Sequence, residues 1–176
     1  MSAAKSKMAG RIFQLNISPG GVPKLAVREA EVTELGLSGD GHLFPDIHGG
    51  PERAVCLFCL EHILEFQSQG HPIFPGSVGE NVTVCGVDWQ QLTPGVRLEL
   101  GGGVLLEITR YTTPCNSMEP SFLDRNYGRL SQKANPGYSR VYAKVIRPGR
   151  IIVGRLAASS ELRSISADGG FSNVIH

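Results

Sequence analysis

No stretch of the 176 residues approaches the ~20 consecutive apolar side chains that a membrane-spanning helix requires, and residues 1–10 carry lysines without the apolar segment of an export signal. The expectation is a cytoplasmic protein. Surplus charge is missing as well. A formal net charge of +1 offers no field for a polyanion, so neither nucleic acid nor a membrane is an expected partner. Cysteine is too sparse, at four residues, for a disulfide framework. Cys56 and Cys59 match the C-x-x-C spacing of a redox or metal pair, but they lie in the strand-like run Ala54-Val55-Cys56-Leu57-Phe58-Cys59-Leu60. There, side chains three apart point to opposite faces. These two, with Cys85 at the end of Val82-Thr83-Val84-Cys85, read as small buried hydrophobes.

What is abundant is punctuation. Twenty-two glycines and 11 prolines separate short runs rich in Val, Ile, Leu and Thr, the cadence of a mainly β domain. Strands are expected at 11–17, 28–35, 54–57, 81–84, 96–100, 104–110, 140–146 and 151–153. Gly101-Gly102-Gly103 joins two of them as a hairpin, since glycine reaches the positive φ of a tight turn. Residues 61–69 and 124–133 read as short accessory helices. A barrel or sandwich with one core follows, with a flexible N-terminus at 1–10, a domain at 11–156 and a weakly ordered tail at 157–176.

Chemistry concentrates between the strands. Cys115, in Thr113-Pro114-Cys115-Asn116-Ser117, follows a strand end at a proline that cannot continue a β-ladder, so a rigid scaffold presents its thiol. Asp40, His42, Asp46, His48 and Arg53 crowd one glycine-rich loop. Two histidines six apart, with no Cys-x-x-Cys nearby, are weak zinc spacing, and they serve equally well to brace a loop. Pro75-Gly76-Ser77-Val78-Gly79-Glu80-Asn81 delivers a carboxylate and an amide to a strand start. Ser139-Arg140 adds a guanidinium, with Lys133 near it in sequence, and such cations meet oxyanions. On one barrel rim these groups would form a site for an anionic cofactor beside a reactive sulfur.

The ordered set Gly39-Asp40, His48-Gly49-Gly50, Arg53-Ala54-Val55, Gly79-Glu80-Asn81, Pro114-Cys115 and Ser139-Arg140-Val141-Tyr142-Ala143 resembles the MOSC domain, named for the C-terminal domain of molybdenum cofactor sulfurases, in its small stand-alone bacterial type. The last strand departs from the family's pattern, because Gly154 is followed by Arg155 rather than Asp. The resemblance implies a β-barrel, closed or partly open, that handles the molybdenum cofactor, a molybdopterin carrying a phosphate. It implies Cys115 as the molybdenum ligand, with His48, Asp40 and Glu80 joining it in catalysis. His42, Arg53, Asn81, Lys133, Ser139 and Arg140 would hold the cofactor. Reduction of N-hydroxylated small molecules is the leading activity implied, with electrons from a separate reductase. The alternatives are a persulfide relay fed by a pyridoxal-phosphate desulfurase, the pyridoxal phosphate residing on that partner, and a non-catalytic cofactor carrier.

Overall fold

The computed structural model describes residues 9–41 and 49–160. Its strands, in chain order, are β1 (Ala9–Ile17), β2 (Leu25–Val27), β3 (Glu29–Thr33), β4 (Gly36–Leu37), β5 (Val55–Cys59), β6 (Val82–Cys85), β7 (Arg97–Leu100), β8 (Val104–Tyr111), β9 (Val141–Arg147), β10 (Gly149–Ile152) and β11 (Leu156–Ser160). The one α-helix among the described residues, α1, spans Leu60–Ser68, and short 3-10 turns complete the set.

Seven strands close a barrel in the order β11-β7-β8-β9-β5-β6-β1, with β11 pairing back onto β1 and β2 extending from β1's other end. All of these pairings are antiparallel except β5–β6, whose crossover carries α1. A small second sheet runs β10-β3-β4.

Alternation drives closure. Along β8, Val104, Leu106 and Ile108 point inward at 1% exposure or less, and opposite them Leu98 and Leu100 of β7 are fully buried. The β7–β8 hairpin turns through Gly101 and Gly102 at φ 64° and 77°, as expected from the glycine run. On α1, Ile63 and Phe66 are buried against the barrel, and Gly70 at φ 89° ends the segment.

Four sequence expectations are revised. The run at 28–35 holds one strand, β3, shorter than expected at Glu29–Thr33, and two short strands not expected flank it, β2 before Arg28 and β4 after a turn. Residues 124–133 form only the 3-10 turn Tyr127–Leu130, because Asp124 and Asn126 spend their side chains on the backbone N–H groups two residues ahead. Ala157–Ser160, assigned to a weakly ordered tail, belong instead to β11, which closes the barrel. The small residues Ala157, Ala158 and Ser159 carry little hydrophobic signal, yet all three pair with β7, and Ala157 and Ala158 pair with β1 on the other side. At the other end, Ala9 and Gly10 of the supposed flexible N-terminus are already in β1.

Candidate functional site

Side chains of β9 alternate between two destinations. Val141 and Ala143 enter the core at 1% exposure or less, while Arg140, just before the strand, and Tyr142 share the opposite face. Cys56 on β5 is the direct cross-strand partner of Tyr142, so it shares that face too. These three side chains floor a cavity of about 460 Å³. Its walls come from loops: Arg53 from the 3-10 turn Pro51–Arg53, Thr113 to Cys115 from the segment after β8, Met118 from the 3-10 helix Asn116–Ser121, and Lys24 from the start of β2.

Cys115 is half-buried at the head of the Asn116–Ser121 helix, its Sγ 2.9 Å from Ser117 Oγ. Cys56 differs although it lines the same cavity. Burial pushes its thiol up to about 11, and its Sγ lies 4.0 Å from Arg140 Nη1. Cys59, three residues on, faces the core, where burial raises it to about 12. The opposite-face reading of C-x-x-C therefore stands, although Cys56 faces a cavity and not packed core. Cys85, expected to be buried, is only half-covered at the end of β6.

Arg140 is 4% exposed and makes no ion pair with a carboxylate among the described residues. Nη1 donates to Val78 O at 2.5 Å, and the buried Nε has no partner among the described residues. A buried guanidinium with an unsatisfied N–H is unfavourable unless an anion completes it.

Asn81 is the structural hinge of the cavity. Its Oδ1 accepts from Cys56 N at 3.0 Å, and its Nδ2 donates to Asp40 Oδ2 at 2.8 Å and to Asn16 O at 3.3 Å, so both amide donors are spent on protein partners. Asp40 stands one layer behind the cavity wall. It accepts from Ser18 N at 3.0 Å and pairs with Lys24 Nζ at 2.5 Å, the two side chains being 4% and 7% exposed. Asp40 thus acts through Lys24.

Glu80 does not reach the cavity. Fully buried, it accepts from Gly76 N at 2.7 Å and Thr83 Oγ1 at 3.0 Å, with Oε2 unpartnered. Burial holds its carboxyl above the ordinary range, against the pull of these N–H and O–H donors and of Arg140. It braces the turn at Gly76, which sits at φ 92° with Lys24 O 2.3 Å from where a Cβ would lie. Only glycine permits that approach. Ser139 turns away to a smaller recess of about 230 Å³ beside Trp89 and Tyr111, and its Oγ donates to Thr112 O and Arg140 O at 3.2 and 2.8 Å. Lys133 is exposed in a turn outside the cavity wall. His42, His48 and Asp46 lie outside the described residues.

Of the expected residues, the fold therefore brings Cys115, Arg53, Arg140 and Asn81 to one cavity, places Asp40 directly behind it, and turns Glu80, Ser139 and Lys133 elsewhere. Lys24, Cys56 and Tyr142 were missed. For Tyr142 the signal was present, since period-two alternation puts it on the face of Arg140. For Lys24 there was only a lone cation after Gly21-Val22-Pro23. No group of three or more His, Cys, Asp or Glu able to hold a metal gathers among the described residues, and no helix there is long and apolar enough to cross a membrane.

Comparison with known proteins shows the family and the fold. The family model described as MOSC domain matches residues 45–156. Protein YiiM of Escherichia coli (strain K12) is 30% identical over 138 residues, covering 76% of this chain and 60% of that protein. YflK of Bacillus subtilis (strain 168) is 31% identical over 119 residues, 66% of this chain and 52% of that one. The chain thus spans only some half to three-fifths of the length of these curated relatives. The crystal structure of YiiM from Escherichia coli superposes with a TM-score of 0.65 at 25% identity, covering 88% of this chain and 70% of that one.

Proposed function

The chain belongs to the MOSC domain family, and from that premise we propose that it binds the molybdenum cofactor in the Cys115 cavity and reduces N-hydroxylated small molecules there. One observation carries the reading: a half-buried thiol and a buried guanidinium with an unpartnered Nε open onto the same cavity. Its volume, about 460 Å³, falls within the range of small-molecule sites. The donor set fits the group on both counts, since a thiolate suits a soft metal centre and guanidinium forks suit a phosphate.

Cys115 would ligate the molybdenum, and Arg140 with Arg53 would hold the pterin phosphate. When bound, the cofactor supplies the two-electron redox chemistry of oxygen removal. Lys24, oriented by Asp40, presents its ammonium at the wall as one end of an ion pair with no net charge. Asn81 keeps β5, β1 and the Asp40 loop in register beneath the site. Met118, Val78 and Val22 give the cavity an apolar side on which an organic substrate can rest. Electrons would come from a reductase partner.

The test is to produce the protein with a supply of molybdenum cofactor, measure bound molybdenum, and assay an N-hydroxylated base with reduced viologen as electron donor. Stoichiometric molybdenum with turnover that disappears in Cys115→Ala is expected. Absence of molybdenum would sink the cofactor reading. Bound molybdenum without turnover, with a persulfide on Cys115 after exposure to a desulfurase, would replace the reductase by a sulfur relay.

A further inference from the structure

Removing oxygen from an N-hydroxyl group takes two electrons and two protons, and the cavity must supply at least the proton that lets the oxygen depart. Among the described residues, no aspartate or glutamate lines it. Asp40 is engaged by Lys24, Asn81 and Ser18 behind the wall, and Glu80 is sealed beneath the Gly76 turn. Arg53 and Arg140 do not give up protons at accessible pH. Cys115 is committed to its sulfur chemistry, and Cys56 packs its sulfur against Arg140.

Tyr142 is left. Its ring stands on the cavity face of β9, two residues from Arg140 and across from Cys56, in the same wall system as Cys115. Its hydroxyl makes no hydrogen bond to any described residue, although the phenol is half-buried and its backbone is fixed by Thr109 Oγ1 donating to the Tyr142 carbonyl at 3.2 Å. The hydroxyl is not sealed from solvent, and with no described residue to bond it can donate to whatever fills the cavity that the residue lines.

We propose that Tyr142 is a catalytic residue, the proton donor to the oxygen removed from an N-hydroxylated substrate, an assignment that rests on the reductase reading above. In the overall step the N–O bond breaks as two electrons, from two equivalents of a one-electron donor such as reduced viologen, pass to the substrate. The Tyr142 O–H bond breaks, and its proton joins the departing oxygen, which leaves as water. Solvent delivers the second proton to nitrogen, giving the amine, and reprotonates the phenolate.

The electrostatics agree with the geometry. Burial first, then the sulfur of Cys56, push the phenol up to about 12, and Cys115 adds to this, while Arg140 and Arg53 pull the other way. The group therefore stays protonated at neutral pH, yet it remains a stronger acid than water, whose value is about 15.7, so transfer to a leaving hydroxide runs downhill.

Tyr142→Phe removes the proton and little volume. In cofactor-loaded protein with reduced viologen and an N-hydroxylated base, the variant should keep the molybdenum content and KM of the wild type while kcat falls by about 10²-fold or more. Its rate should also decline with rising pH where the wild type stays level, because only solvent acid remains, a change that a merely structural role would not produce. In cofactor-free protein, ultraviolet titration should show a tyrosine ionising near 12 that the variant lacks. A variant kcat within twofold of an active wild type overturns the assignment and leaves the reductase reading intact, as does a Tyr142 phenol already ionised at neutral pH. A wild type that binds molybdenum and reduces nothing overturns both.

Discussion

Strands β5 and β9 present two faces to two different worlds, and residues adjacent in sequence fall on opposite sides of the divide. Val55, Leu57, Val141 and Ala143 pack into the barrel with 1% exposure or less, and their neighbours Cys56, Arg140 and Tyr142 floor the cavity. The core face is satisfied by dispersion and by removal of apolar area from water, and it is complete. On the cavity face Cys56 and Arg140 are nearly as buried as the core, at 4% exposure each, but the face is incomplete. Among the described residues it holds a cation without a carboxylate and an Nε without an acceptor. Similar burial therefore hides opposite energetics: one face is where stability is gained, and on the other, unsatisfied polar groups are open to a ligand.

Substitutions can break this comparison. The largest effect is expected at Cys115. Cys115→Ala should lower N-hydroxy reduction by about 10³-fold or more, with little change in melting temperature, since the thiol is only half-buried and its one side-chain hydrogen bond among the described residues is to Ser117. A comparable loss of folding would show that the loop is structural. On the core face the effects reverse. Leu57→Ala should destabilise by about 2–5 kcal/mol, measurable by denaturant titration, while activity per folded molecule is retained.

Arg140→Met is the sharper test, because the two faces predict opposite signs. Removing a buried cation that lacks an ion pair should leave the cofactor-free protein as stable as the wild type or more so. Cofactor affinity should meanwhile fall by about 10- to 100-fold, the worth of a lost charged hydrogen bond of about 1.5–3 kcal/mol. A large drop in melting temperature without ligand would instead make Arg140 a structural strut. The smallest effect belongs to Glu80. Because burial raises its folded-state pKa above the ordinary 4.5, the native protein binds more protons than the unfolded chain once pH passes that value, and stability falls as pH rises through the folded pKa. Glu80→Gln keeps an acceptor for Gly76 N and should flatten that slope, matching the wild type near pH 4 and exceeding it slightly at pH 7 to 8. Unfolding curves across that range that stay parallel to the wild type would contradict it.

Much of the fold was legible. Alternating runs bounded by glycine located β7, β8 and β9 to within a residue or so, and the Gly101-Gly102 hairpin followed from turn chemistry alone. The closing strand was not, because Ala157, Ala158 and Ser159 carry no β signature and are held by pairing partners roughly 60 and 150 residues earlier. At the site, Cys115 stood out from its proline and its strand end. Glu80 misled, since a carboxylate after a glycine turn looks the same whether it faces a cavity or the underside of the turn. Asp40 was half legible: its loop was singled out, but its contact with Lys24 joins residues 16 apart and has no local signature.

By itself, then, the sequence determined the local grammar: where strands run, where they turn, and which residues of a strand share a face, because backbone pleat and glycine stereochemistry act over a few residues. It also singled out the thiol after Pro114. Only the tertiary structure decided which face looks into the core and which into a cavity, that Lys24, Arg53, Cys115, Arg140 and Tyr142 surround one space, and that Glu80 does not join them. The physical reason is closure. Once β11 pairs with β1, the barrel has a single inside, and every loop and outward side chain must find its place relative to that ring through contacts that the local pattern does not encode.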